Sequence, residues 1–409
     1  MYDIMKGVRI VEGSAFVAAP LAGLSLAQLG ADVIRFDMIG GGIDYHRMPR
    51  SKDTDTSLYW TGLNKGKRSI AVNLSDPRGR ELVQDLITAP GSDGGVFLTN
   101  FSNVPWLAYS ELSKKRPDLI KVAIQGNHDG TNAVDYTVNS ATGFPGVTGD
   151  GSAEHPVNHV LPAWDVATGI QAAFGVLAAL MDRMRTNKGR EVTLALSDMA
   201  FSVTAHLGYL AEAMVNQEHR SSIGNDVFGA FGRDFATADG RRIMVVAVSL
   251  KQWKAICRAC GIEESVQAIE RELGLDLSQE AHRFEARDRV CELIAPWCAA
   301  QSQSEIADRF NGEGVCWGPY QSFLEMSRSD QRVSTDNPLF QFIQQPGVGR
   351  ILAPGSPLAF TDLERGEVRP SPTIGMHTDE ILTETLELSS KEIGQLHDAG
   401  IVAGPDSSA

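Results

Sequence analysis

One acidic residue, Asp165, stands where a carboxylate could act alone. Pro162 and Trp164 precede it and the small apolar run 170–180 follows, so its side chain is expected at a helix start in mostly apolar surroundings. At neutral pH an aspartate is already ionised, so it can attack an activated acyl group without a general base. Attack on a thioester would give a mixed anhydride, which the released thiolate could reopen at the enzyme's own carbonyl. Judged from its neighbours alone, the more common role of such an aspartate is a helix N-cap.

Other residues with chemical potential have simpler interpretations. The basic segment Asn64–Ser69 is explained equally well by a phosphate contact and by a solvated run of charge. Cys257 and Cys260 lie three positions apart on a helical pattern without a second pair at metal spacing, which indicates structural cysteines and no metal site. The loop pair His128 and Asp129 is a weaker catalytic alternative.

Several common enzyme motifs do not occur in the sequence. The opening strand–helix–strand pattern invites a dinucleotide-binding interpretation with Asp37 on the ribose, but the loop Gly13–Ala19 lacks the G-x-G-x-x-G pattern. The G-x-S-x-G, H-E-x-x-H and Walker motifs are missing too. The residues therefore do not favour an NAD enzyme, a serine hydrolase, a zinc hydrolase or a P-loop enzyme.

The composition limits the classes of partner. The 409 residues are 43% hydrophobic and 22% charged, and their formal net charge of −14 argues against a nucleic-acid backbone as the partner. The start of the sequence leads directly into strand-like residues and no run approaches the roughly 18 apolar residues of a membrane span. We expect a cytoplasmic protein without a membrane partner, acting on a small molecule.

The pattern of elements predicts an α/β fold. Residues 8–11 and 32–37 read as buried strands around a helix at 18–29, and the same alternation continues to a helix at 199–214. A mostly parallel sheet covered by helices follows from it. We predict a large domain beginning at 1–210, a linker and smaller α+β domain at 211–329, and a return segment with C-terminal helices at 330–409 that completes the large domain.

Several segments in the same order and spacing as in a known family carry a resemblance over nearly the full length. They are residues 7–13, 19–20, 26–34, 57–60, 64–70, 100–101, 159–169, 237–240 and 374–382. Together they resemble the class III coenzyme A transferase family. The resemblance implies a Rossmann-like large domain, a smaller domain and a homodimer of two interlocked chains. It also implies that coenzyme A (CoA) arrives as part of an acyl-CoA substrate and that no cofactor is tightly bound.

The resemblance assigns roles to individual residues. It places Asp165 on the family's nucleophile, which becomes an aspartyl-CoA thioester during turnover. The implied CoA-binding residues are Val17 and Ala18 at the thioester end, and Val72 and Leu74 at the adenine site. They also include Asn100 and Phe101, where the nucleotide and pantetheine pass, and Asp135 and Tyr136 in a segment before the nucleophile.

The sequence departs from the family pattern at three positions. Met38 stands where an arginine often contacts the CoA phosphates, so that contact is expected to move elsewhere. The candidates are Arg35, Arg47 and the patch Lys65–Arg68, which includes Lys67 and Arg68. Val17 replaces a glutamine seen in some members. Val134 stands where a racemase branch has its histidine base, which favours transfer chemistry over racemisation.

Five further segments, residues 11–20, 134–139, 158–165, 228–235 and 334–338, carry a narrower resemblance within the family. They resemble a branch that moves CoA between the two carboxyl groups of one C5 dicarboxylate. We expect the loop Gly224–Phe235 to close over that substrate. Within the loop, Arg233 is expected to hold the free carboxylate beside Gly232, unless it only forms a surface pair with Asp234. Outside the loop, His159 is a candidate for orienting the substrate, although a histidine beside a helix is more often packed or solvated. An intermolecular transferase for another small acid, an acyl-CoA racemase and a CoA-binding regulatory protein are the alternatives.

Overall fold

The computed structural model describes residues 1–405, and its elements alternate along the chain as an α/β fold. The strands are β1 (Arg9–Gly13), β2 (Asp32–Met38), β3 (Arg68–Val72), β4 (Val96–Thr99), β5 (Ile120–Gln125), β6 (Arg190–Ala195), β7 (Phe231–Ala236), β8 (Arg242–Ala247), β9 (Cys316–Pro319), β10 (Phe340–Gln345), β11 (Gly349–Pro354) and β12 (Val402–Ala403).

The helices are α1 (Ala18–Gln28), α2 (Leu58–Leu63), α3 (Pro77–Thr88), α4 (Tyr109–Lys115), α5 (Asp135–Ala141), α6 (Phe144–Val147), α7 (Ala163–Thr186), α8 (Leu196–His206), α9 (Tyr209–Asn216), α10 (Leu250–Cys260), α11 (Glu263–Leu273), α12 (Glu280–Glu285), α13 (Arg287–Ala299), α14 (Gln303–Glu313), α15 (Phe323–Ser329), α16 (Thr378–Leu386) and α17 (Ser390–Asp398). Short 3-10 turns lie at Pro105–Leu107 and Gln331–Val333.

The described chain divides into two compact units. Unit 1 contains Met1–Thr142, Val160–Gln217 and the residues from Gln331 onward, and unit 2 contains Gly143–His159 and Glu218–Asp330. The segment 143–159 belongs to unit 2, where the amide of Gly224 donates to the carbonyl of Gly149. The domain boundaries at residues 210 and 330 stay predictions.

Unit 1 is built on a seven-stranded sheet with the order β12-β3-β2-β1-β4-β5-β6. All neighbouring pairs from β3 to β6 are parallel, and only β12 joins antiparallel at the β3 edge. Without β12 this is the Rossmann order, and its direction of winding reverses between β1 and β4. The α/β prediction with a mostly parallel sheet is therefore confirmed.

Apolar layers cover both faces of the sheet. On one face α1 and α7 pack through small side chains such as Ala19, Ala22, Ala172 and Val176. The other face is covered by α3, α4, α16 and α17. Because parallel strands are buried on both faces, they read in the sequence as near-continuous apolar runs.

Helix α7 departs from one expectation. Its 24 residues are long and apolar enough, by length and composition alone, to cross a membrane, although the sequence was expected to contain no such run. One side of α7 packs against α1 in the core of unit 1, which explains why the residues on that side are apolar.

Unit 2 has its own three-stranded antiparallel sheet, β7-β8-β9, packed against α10 to α14. Cys257 and Cys260 lie in this core with Cys291 and Cys298, and burial raises the pKa of Cys257 to about 12. These thiols are packed as apolar side chains, in agreement with the structural interpretation. Among residues 1–405, no group of three or more His, Cys, Asp or Glu side chains is arranged to hold a metal ion.

Candidate active site

The crevice at the carboxyl ends of β1 and β4 brings together four of the predicted CoA-binding residues. The side chain of Asn100 clamps Ala15, accepting from the Ala15 amide at 3.0 Å and donating to the Ala15 carbonyl at 2.7 Å. Val17 and Ala18 follow this clamp at the start of α1, and Phe101 follows Asn100. Ligands bind to doubly wound sheets at such a point of reversal.

Asp165 lies in the first turn of α7, and a different carboxylate caps that helix. Oδ2 of Asp135 accepts from the amide of Trp164 at 2.7 Å and from the amide of Asp165 at 3.0 Å. The N-cap interpretation of Asp165 is therefore wrong, because α7 begins at Ala163 and Asp135 satisfies its first amides. Within residues 1–405 the carboxylate oxygens of Asp165 accept no hydrogen bond, so they remain available to a ligand.

The close crossing of α1 and α7 positions Asp165. A Cβ atom on Gly169 would lie 2.6 Å from the carbonyl oxygen of Ala18, so only glycine permits this approach. Residues four apart share one side of a helix, which puts Asp165 on the α1 side of the first turn of α7. The carboxylate therefore lies near the loop that precedes α1.

The surroundings of Asp165 make its ionised form costly. Burial, followed by the negative charge of Asp135, raises the pKa of Asp165 to about 6, while Arg47 acts in the opposite direction. The carboxylate is still mostly ionised at neutral pH, yet it is more basic than an exposed aspartate. Both properties suit a nucleophile.

A cluster of two aromatic rings and one guanidinium lies beside this site. The sequence did not predict it. The Arg47 guanidinium lies 5.3 Å from the ring centre of Phe16 and 5.3 Å from that of Tyr59. Burial raises the pKa of Tyr59 to about 12, and the charges of Arg47 and Asp165 both act on its phenol. Tyr59 lies within the family segment 57–60, and a single sequence offers no signal that it contacts Arg47.

Two of the predicted phosphate-binding cations are buried instead. Arg35 donates to Asp37 through Nε and Nη2, both at 2.9 Å, and also reaches Asp44 and the carbonyl of Ser14. Lys67 donates to Glu12 at 2.8 Å. Both side chains are nearly inaccessible to solvent, so this geometry argues against the prediction that Arg35 and Lys67 bind phosphates.

The family model described as CoA-transferase family III matches residues 5–378. The chain belongs to this family. It is 51% identical, over the full length of both chains, to the 2-methylfumaryl-CoA isomerase of Chloroflexus aurantiacus. It is 26% identical to the human succinyl-CoA:glutarate CoA-transferase, across 97% of this chain and 90% of that one. The predicted family resemblance and the narrower one within it are both confirmed.

A solved structure supports the fold of this family III member. A CAIB/BAIF family protein from Brucella suis superposes with a TM-score of 0.74 over 93% of this chain and 99% of that chain, at 22% sequence identity. At that identity the likeness concerns the fold alone.

The remaining residues placed by the family resemblance differ in how accessible their side chains are. Arg68 is surrounded by Asp32, Glu380 and Glu384, three carboxylates that disfavour an added phosphate. Val72 is fully buried and pairs with β12, so only Leu74, beyond the strand, has an accessible side chain near the expected adenine site. The hydroxyl of Tyr136 donates to the carbonyl of Val160 at 3.4 Å.

The residues expected to bind the substrate lie in unit 2. The guanidinium of Arg233 donates from Nε and Nη2 to Asp226, both at 2.5 Å, and from Nη2 to Asp288. Asp234 pairs with Arg242, so the expected surface pair Arg233–Asp234 is wrong. The ion pairs of Arg233 also disfavour its role as the carboxylate clamp, because most of its donors are already engaged.

Gly232 and His159 were also expected to lie at the substrate. Gly232 is buried in β7 and His159 is partly buried at the end of the segment 143–159. The alternative dyad of His128 and Asp129 is not favoured, because Oδ1 of Asp129 accepts from both the amide and the hydroxyl of Thr131 in an exposed turn.

Proposed function

We propose that the protein isomerises mesaconyl-CoA, also called 2-methylfumaryl-CoA, by moving CoA between the C1 and C4 carboxyl groups through a thioester on Asp165. The observation that carries the reaction type is the partly buried Asp165 carboxylate, whose oxygens accept no hydrogen bond within residues 1–405 and whose pKa is raised to about 6. The substrate is proposed from the 51% identity to the isomerase of Chloroflexus aurantiacus.

The proposed cycle needs only the carboxylate and the CoA that the substrate carries. Asp165 attacks the thioester carbonyl, and CoA leaves as a thiolate from the mixed anhydride. The thiolate attacks the aspartyl carbonyl, which forms the aspartyl-CoA thioester and frees the dicarboxylate. The second carboxylate of the substrate attacks that thioester, which releases the CoA thiolate and forms a new mixed anhydride. The thiolate then attacks the substrate carbonyl of this anhydride, which gives the isomeric thioester and regenerates the Asp165 carboxylate. No proton or electron is gained or lost overall.

An intramolecular cycle is favoured by the high effective concentration of the dicarboxylate that stays bound. Thioester exchange is close to isoenergetic, so the site chiefly has to retain the free dicarboxylate until it has turned. Well-oriented groups within one complex reach effective molarities of about 10⁵–10⁸ M. An external acid competes poorly against that value.

The two other enzyme activities are separable from this one. An intermolecular transferase needs an added free acid, and a racemase exchanges an α-proton with solvent. The side chain at the racemase histidine position is Val134, which cannot transfer a proton. A CoA-binding regulatory protein would bind acyl-CoA without any covalent adduct.

Trapping the intermediate tests the proposal. Hydroxylamine added during turnover should modify Asp165, located by peptide mass mapping, and Asp165→Asn should lose activity by about 10³-fold or more. Asp129→Asn is the control, because Asp129 lies in an exposed turn outside the site. Turnover by the wild type without modification of Asp165 would contradict the mechanism.

We also propose that the protein works as a cytoplasmic homodimer of interlocked chains. Unit 1 exposes many large apolar side chains on neighbouring helices, more than an isolated chain usually leaves in water. They form the α7–α9 surface: Ile170, Phe174, Met181, Met184, Phe201, Leu207, Leu210, Met214 and Val215.

A further inference from the structure

Within residues 1–405, Arg47 differs from the other arginines considered for the site because its guanidinium forms no ion pair at contact distance. Arg35, Arg68 and Arg233 all donate to carboxylates. The Arg47 guanidinium, by contrast, makes only its two ring contacts within the described residues, and its side chain is exposed. A guanidinium that stacks on rings keeps its N–H edge free for a planar anion.

The backbone around Arg47 is held in place by buried groups. The carbonyl of Arg47 accepts from the hydroxyl of Ser57 at 2.5 Å, and its amide donates to the carbonyl of Asp44 at 3.2 Å. Oδ2 of Asp44 accepts from the amide of Phe16 at 3.2 Å, and the same carboxylate is fixed by the buried Arg35. Arg47 and its aromatic platform Phe16 therefore share one anchor, Asp44.

This anchored group lies close enough to the nucleophile for the charge of Arg47 to act on it. Phe16 adopts a left-handed conformation, with φ of 68°, directly before Val17 and α1. The α1 start contacts Gly169, one turn beyond Asp165 in α7. The charge of Arg47 is accordingly felt at Asp165, where it favours the ionised form.

We propose that Arg47 binds the free carboxylate of the dicarboxylic acyl group. The proposal rests on the proposed function, since that reaction always leaves one carboxylate unreacted. While CoA is on Asp165, the substrate is a dianion that needs a cation to hold it. One cation serves both halves of the cycle, because whichever carboxyl is not reacting pairs with Arg47 as the molecule turns end for end. A two-N–H contact to a carboxylate also matches guanidinium geometry.

A pair of acyl-CoA probes separates this role from phosphate binding. Mesaconyl-CoA carries the free carboxylate, and (E)-2-methylbut-2-enoyl-CoA has a methyl group in the place of the C4 carboxyl. Arg47→Gln should lower kcat/KM for mesaconyl-CoA by about 10- to 100-fold. It should change the inhibition constant of the methyl analogue by less than about twofold, and Arg47→Lys should restore part of the loss. Arg50→Gln is the matched control, because Arg50 is an exposed neighbour that pairs with Asp55.

A second readout follows the freed acid. Arg47→Gln should incorporate added labelled mesaconate into product more readily than the wild type, because the dicarboxylate escapes before it turns. An equal loss of affinity for both probes would overturn the proposal, since it would place Arg47 on the CoA moiety. So would a variant with unchanged kcat/KM. If the wild type itself does not isomerise mesaconyl-CoA, the proposed function fails first, independently of Arg47.

Discussion

Asp135 does two things to Asp165 at once. Its Oδ2 accepts from the first amides of α7, which orients the turn that carries the nucleophile. Its negative charge also opposes ionisation of Asp165. Oδ1 of Asp135 is buried and has no hydrogen-bond partner among the described residues. A neighbouring negative charge disfavours the ionised form of a carboxyl group and so raises its pKa, as Asp135 does for Asp165.

Asp135→Asn should separate these two effects in a pH profile. Asparagine keeps an oxygen acceptor for the α7 amides but removes the charge, so the pKa of Asp165 should fall from about 6. Because the ionised form is the nucleophile, wild-type kcat/KM should be constant above the pKa and decline below it. The acid limb of the variant should therefore move to lower pH.

The control for that experiment is Asp135→Ala, which removes the acceptor as well as the charge. It should lower the free energy of unfolding by about 1 kcal/mol as a lost cap, in addition to moving the acid limb. An acid limb at the same pH in wild type and Asp135→Asn would contradict the charge coupling between the two carboxylates.

At the scale of elements, the contact between α1 and α7 decides where the nucleophile stands. Gly169→Ala would push its Cβ to 2.6 Å from the carbonyl oxygen of Ala18. We expect a loss of about 1–3 kcal/mol in the free energy of unfolding and a fall in kcat of about tenfold, because α7 must move away. Denaturant titration and steady-state kinetics measure the two effects.

The same helix supplies a matched control in Gly175→Ala. A Cβ there meets only Val192 Cγ1, at an ordinary 3.7 Å. This variant should keep its activity and gain up to about 1 kcal/mol from helix propensity. Equal behaviour of the two variants would mean that the crossing does not position Asp165.

Local patterns predicted the elements well where a single chain segment determines them. The strands and helix of residues 8–37 lie within a few residues of their expected bounds, because buried parallel strands and capped helices have distinct periodicities. The helix expected at 199–214 is instead divided into α8 and α9 around Gly208, whose φ is +85°. A lone glycine inside an apolar pattern does not reveal that break.

The sequence did not predict contacts between segments that are distant along the chain. Arg35 was expected to meet a phosphate, yet it is buried among carboxylates contributed by β2 and the loop after it. Basic residues near a strand have the same composition in either role, and only the tertiary structure decides which one applies. Asp135 and Arg47 were also predicted site residues, but the sequence did not predict their contacts with the amide of Asp165, 30 positions away, and with the ring of Tyr59, 12 positions away.

On the scale of the whole molecule, the chain begins in unit 1 and its last part returns to unit 1. It leaves unit 1 for the second time after Gln217 and re-enters it at Gln331, and the last strand, β12, pairs with β3. The amino group of Met1 also donates to the carbonyl of Gly366 at 2.6 Å. The chain therefore forms a closed path through its own contacts, which is a condition for the interlock that we propose.

An interlocked homodimer should exchange subunits only as fast as it unfolds. Tagged and untagged dimers, mixed in native buffer, should give no mixed dimer by native mass spectrometry on the timescale that ordinary dissociation would allow. Mixed dimers should appear in denaturant at the global unfolding rate followed by circular dichroism. Co-expression of the two forms is the control, because it yields mixed dimers during assembly. Exchange that outpaces unfolding would rule out the interlock, since two closed paths cannot separate while both remain folded, whereas a dimer held only by the α7–α9 surface can.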